Sequence, residues 1–127
     1  MQPLIIESTI DTPAINFDYE KNIYSIIGKS LPENPAAFYA PAIAWFKELA
    51  KVVTTGKEIV LNVQYSYFNT ASSKLFLSLL DVLEEFQEKE IKVNVNWHYP
   101  KGDEDMMEIA DSYEELTNIP FVLIEVD

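Results

Sequence analysis

Ile59–Tyr99, IVLNVQYSYFNTASSKLFLSLLDVLEEFQEKEIKVNVNWHY, decides the fold. It opens with Leu61, Val63, Tyr65 and Tyr67 alternating with Asn62, Gln64 and Ser66, the two-residue period of a strand with one apolar and one polar face. From Thr70 to Glu90 the period lengthens. Leu75, Leu79, Val82 or Leu83, and Phe86 fall on one helical stripe, with Asp81, Glu84, Glu85 and Glu88 turned outward. At Ile91 the alternation resumes, with Ile91, Val93, Val95, Trp97 and Tyr99 inward against Lys92, Asn94, Asn96 and His98. A strand, a helix and a second strand of these lengths imply a right-handed crossover and parallel pairing. A sheet covered on both faces would have continuously apolar strands, whereas these keep a polar face, so the helices belong on one side only. The expected fold is α/β, a two-layer sandwich of a mixed sheet with helices on one face. Asn62, Gln64, Ser66, Lys92, Asn94, Asn96 and His98 are expected on the uncovered face.

On the N-terminal side, short strands are expected at about 4–7, 14–18 and 23–27, the last two joined through Asp18–Asn22. Asn34-Pro35 reads as a helix cap followed by a first helical position. Pro41 either kinks this helix or starts it, and Thr54-Thr55-Gly56 stops it after about Val53. On the C-terminal side, a helix over about 103–116 is expected to present Met106, Ile109, Tyr113 and Leu116 inward. Asn118-Ile-Pro120 then leads into a strand over 121–126. The three glycines, Gly28, Gly56 and Gly102, read as boundaries between elements.

With 127 residues, 48% of them hydrophobic, the chain can fill one modest core, so residues 1–127 read as a single domain. Its formal charge is −12, unevenly spread: residues 1–80 hold 7 acids and 6 lysines, whereas residues 81–127 hold 14 acids and 3 lysines. Such a balance argues against nucleic acid or an anionic membrane surface as partner. The absence of arginine and cysteine removes guanidinium clamps, thiolate chemistry, disulfides and sulfur-ligated zinc. No run approaches a membrane span, and the first residues lack the pattern of a signal peptide, so a cytoplasmic location is expected.

Few residues suit catalysis. His98 is the only imidazole and has no second histidine to complete a metal set, so it reads as a polar residue on an exposed strand face. Gly102-Asp-Glu-Asp105 lacks the spaced ligands and terminal glutamate of a calcium loop and reads as acids at a helix N-terminus. No cofactor is expected. A small metal-assisted hydrolase built on His98 and the acids near Asp103 is the enzymatic alternative. Tyr65, Tyr67, Phe68, Trp97 and Tyr99 read as core and rim of the sheet rather than a base-stacking platform on so acidic a chain.

The segment Tyr67-Phe-Asn-Thr-Ala-Ser-Ser-Lys74 stands apart. A strand ends and a helix starts through Asn69, Thr70, Ser72 and Ser73, where one capping oxygen would suffice. A phosphate on Thr70 would meet the positive end of the helix, with Lys74 one turn along.

The order of several short motifs resembles the SiaC family of bacterial regulatory phosphoproteins. They are Asn16-Phe-Asp18, Leu31-Pro-Glu-Asn34 with Phe38-Tyr39 and Pro41, Tyr67–Lys74, Val95-Asn-Trp97, Asp103–Met106 and Ile119–Glu125. The resemblance implies a fold similar to anti-sigma-factor antagonists of the STAS type, with Thr70 as the phosphoacceptor and Tyr67, Asn69, Ser72, Ser73 and Lys74 forming the switch and partner-binding surface. It further implies a serine/threonine protein kinase with a histidine-kinase-like ATPase domain and a PP2C-type phosphatase. The unmodified form would bind and activate a diguanylate cyclase, raising cyclic di-GMP and favouring biofilm growth or aggregation. Ala71 and His98 depart from the family pattern, which is expected to carry a hydroxyl and an aromatic residue there.

Overall fold

The computed structural model describes all residues, Met1–Asp127. Its elements are β1 (Leu4–Ile6), β2 (Ala14–Asp18), β3 (Ile23–Ser30), α1 (Pro35–Val52), β4 (Ile59–Phe68), α2 (Thr70–Glu88), β5 (Val93–Pro100), α3 (Glu104–Leu116) and β6 (Phe121–Val126). The six strands form one sheet in sequence order. β1, β2 and β3 pair antiparallel, and β3 to β6 pair parallel through the three helices. The expected mixed α/β sheet is present, and Leu61, Val63, Tyr65, Val93, Val95, Trp97 and Tyr99 are all buried as the alternation required.

Local chemistry sets the element ends. The Asn34 side chain accepts the Ala37 amide at 3.2 Å, with Pro35 in the first turn, so α1 starts there and carries Pro41 inside it. The Lys89 ammonium at the end of α2 donates to the Ala50 and Val53 carbonyls at the end of α1, pairing a cation with the negative end of that helix. Phe46 of α1 meets Phe86 of α2 edge-on, with ring centroids 6.2 Å apart. On the buried face of α2, Phe76, Leu79, Leu80, Val82, Leu83 and Phe86 form the stripe, while Leu75 lies at its margin.

Leu116, expected inward, is the last residue of α3 and is 66% exposed, Ala110 taking a buried place on that helix instead. Two further expectations need correction at one place. Gly28 lies inside β3 rather than at its end. It has φ +131°, and an added Cβ would come 3.2 Å from the Pro13 Cα. The register with β4 shifts there, from Gly28 opposite Tyr65 to Lys29 opposite Tyr67, leaving Ser66 as an extra residue on β4. An extra residue reverses the alternation. Tyr67, expected inward, is 51% exposed, and Phe68 turns in to stack on Tyr65 at 4.7 Å. The bulge also delivers the chain to the start of α2.

Candidate functional site

Four parallel strands end at the same pole of the sheet, and the β4–α2 junction lies at its centre. Asn69 has extended backbone (φ −87°, ψ 174°), and its side-chain oxygen accepts the Ser72 amide at 2.8 Å, making it the cap of α2. Its own amide donates to the Ser30 carbonyl at 3.2 Å, tying the junction to the end of β3.

Below this cap runs a buried chain of hydroxyls. Ser72, fully buried, has its Oγ 2.9 Å from Ser30 Oγ and 3.2 Å from the Ser30 carbonyl. Ser30 Oγ lies 2.6 Å from the Tyr39 hydroxyl, which lies 2.9 Å from that of Tyr65. Burial pushes both phenols above their ordinary range, so they stay protonated and available as donors. Ser73 makes a separate anchor. Its Oγ lies 2.7 Å from the Tyr113 hydroxyl, which also donates to the Ser73 carbonyl at 3.1 Å, and burial pushes that phenol up to about 12.

These contacts sort the predicted residues. Asn69 caps, Ser73 holds α3 against α2, and Thr70, the first residue of α2, is exposed with no side-chain hydrogen bond to the chain. Lys74 is exposed one turn further, and Tyr67 lies open beside the junction. Ser72 is the correction: expected on the contact surface, it is sealed beneath it, because its hydroxyl completes the buried chain from Ser30. Ser30, Tyr39 and Tyr113 belong to this site; Tyr39 stands in a motif quoted above and Tyr113 on the apolar face of α3, yet nothing in the local sequence gives their hydroxyls a role at the α2 junction. They approach α2 only through tertiary pairing across 40 residues or more for Ser30 and Tyr113.

The residues of the enzymatic alternative are separated. His98 Nε2 lies 3.4 Å from Asn62 Oδ1 on the uncovered face, beside an Asn96–Asn62 bond of 3.1 Å. Its neighbour Trp97 faces the helices, donating to the Met106 carbonyl at 3.0 Å, and Asp103 Oδ1 caps α3 through the Met106 amide. No group of three histidine, cysteine, aspartate or glutamate side chains converges to hold a metal ion. No helix is long and apolar enough to cross a membrane.

Comparison with known proteins agrees with this geometry. The chain is similar to the solved structure of SiaC of Pseudomonas aeruginosa, at 29% identity and TM-score 0.88, covering 99% of this chain and 100% of that one. It is equally similar in fold to SiaC in the crystal structure of the diguanylate cyclase SiaD in complex with its activator SiaC, from the same organism. There the identity is 30% and the TM-score 0.88, over 97% of this chain and 99% of the other. An uncharacterized protein of Pseudomonas aeruginosa strain UCBPP-PA14 is 31% identical over 123 residues, 97% of this chain and 96% of its own length. The family model described as SiaC family regulatory phosphoprotein matches residues 6–126. The chain belongs to the SiaC family of regulatory phosphoproteins.

Proposed function

We propose that this chain is a non-enzymatic switch. Its unmodified form binds and activates a diguanylate cyclase, raising cyclic di-GMP. A serine/threonine kinase breaks that complex by phosphorylating Thr70, and a PP2C-type phosphatase restores it. The similarity to an activator bound to its cyclase supports the effector. The observation that carries the choice of residue is that, of four polar side chains at the junction, Asn69, Ser72 and Ser73 are occupied by internal hydrogen bonds and Thr70 alone is exposed and unbonded.

The physics of the position favours a switch that leaves the fold intact. A phosphate on the first residue of α2 faces free backbone amides at the positive helix end, so the folded state tolerates it. What changes is the surface. A group carrying roughly −1.5 to −2 charges would have to be stripped of water wherever a partner covers it. The neighbouring surface offers apolar Tyr67 (51% exposed) and Leu31 (39% exposed), the latter directly following the Ser30 carbonyl that binds Asn69. Losing about 3 kcal/mol of binding in this way weakens affinity by roughly a hundredfold.

Incubation with the kinase and ATP, followed by peptide mapping, tests the reading. Phosphate is expected on Thr70. Thr70→Ala is expected to bind the cyclase whether or not kinase is present, and Thr70→Asp to bind weakly. Phosphate at another residue, or unchanged cyclase binding after modification, would reject the reading.

A further inference from the structure

A hollow of about 260 Å³ lies between the end of β4 and the start of α3. Tyr67, Phe68, Met106 and Ile109 line it, with the carboxylates of Asp103 and Asp105. The bulge at Ser66 builds one wall by turning Tyr67 outward. Neither carboxylate is held in an ion pair. The two ion pairs of the chain, Lys29–Asp11 and Lys51–Glu48, lie elsewhere, and no third ligand converges with these acids to hold a metal. Asp103 engages one oxygen in capping α3, while Asp105 is exposed and bonded to nothing in the chain.

An open aromatic ring beside unpaired carboxylates matches a guanidinium, which stacks on the ring face and pairs with carboxylate oxygens. A floor of Phe, Met and Ile matches an aliphatic side chain, the methionine adapting to its shape. We infer that this hollow docks the protein partner by taking an arginine over Tyr67 against Asp105, with an adjacent large aliphatic side chain seated on Phe68, Met106 and Ile109. The inference rests on the partner-binding function proposed above and adds the chemistry of the segment recognised. A second copy of this chain is the wrong occupant, because the chain has no arginine and a formal charge of −12. The surrounding field has the right sign for a cationic segment. α3 carries Glu104, Glu108 and Asp111 and no lysine.

The test is calorimetric titration against the full-length diguanylate cyclase of the same organism at two salt concentrations. Asp105→Lys should weaken binding by about tenfold or more, Asp105→Asn by less, and Tyr67→Ala by about fivefold, all with the wild-type fold because both positions are exposed. Glu58→Lys, the same charge change at the opposite pole, should leave affinity within about twofold. Wild-type affinity should fall with salt, and Asp105→Lys should flatten that dependence. If the wild type binds and both the Asp105 and Tyr67 variants bind equally well, the hollow is not the docking site and the switch stands. If the wild type does not bind the cyclase, the effector and the occupant of the hollow fall together.

Discussion

The side-chain oxygen of Asn69 accepts the Ser72 amide at 2.8 Å, and this one bond leaves Thr70 without a structural task. An N-cap needs a single acceptor, and with Asn69 supplying it the next hydroxyl projects from the first turn into solvent. Asn69→Ala should destabilise the chain by about 1 kcal/mol, lowering the melting temperature by roughly 4 °C. Asn69→Asp should retain the wild-type value. Equal melting temperatures for wild type and Asn69→Ala would show that another group caps α2.

The buried hydroxyl chain gives a contrast between two tyrosines. Tyr39→Phe removes the link between Ser30 Oγ and the Tyr65 hydroxyl; Ser30 keeps its bond to Ser72, while the buried Tyr65 hydroxyl is left without a partner, at a cost of about 1–3 kcal/mol. The Tyr24 hydroxyl is buried with no partner, so Tyr24→Phe should be neutral or stabilising. Urea unfolding midpoints separate the two, and a larger loss for Tyr24→Phe than for Tyr39→Phe would contradict the assignment.

Both the fold and the junction were largely legible in the sequence, for a specific reason. Each of β4, α2 and β5 buries a single face, so the hydrophobic period reported both element type and the side of the sheet left bare. The bulge was not legible. Its marker, Gly28, reads as a strand end, and the reversal that exposes Tyr67 and turns Phe68 toward Tyr65 depends on how β3 and β4 pair. Ser72 departs from its expected place for a similar reason, since a serine in a first turn looks like surface until Ser30 is brought beneath it.

Alkaline conditions should unfold the chain through its buried phenols. Burial raises Tyr39 and Tyr65 above their ordinary value of 10.0 and takes Tyr24 and Tyr113 to about 12. The folded state therefore holds protons that the unfolded chain releases near pH 10. The stabilisation is complete below pH 10 and is lost as pH rises through 10 towards 12 and above. Each such group steepens the fall by up to about 1.4 kcal/mol per pH unit. Tyr24→Phe should make the decline shallower in denaturant titrations at pH 9, 10 and 11, and an unchanged slope would show that Tyr24 ionises freely in the fold.

On α2, desolvation by burial, with the charges of Asp81 and Glu88, raises the carboxyl of Glu84. Its ionised form opposes folding, a cost present above its folded pKa and relieved as pH falls through it. Solvent screening keeps the effect small: Glu84→Gln should stabilise by about 0.3 kcal/mol at pH 7, close to 1 °C in melting temperature, with the advantage shrinking as pH falls into the carboxylate range. A difference that stays constant over that range would point to a packing effect instead.

The most direct test of the switch is to place phosphothreonine at position 70 during synthesis and measure binding to the diguanylate cyclase against the unmodified chain. Retained fold by circular dichroism with affinity lower by about a hundredfold is the expected result. Equal affinity of the two forms would contradict the assignment of Thr70 as the switch.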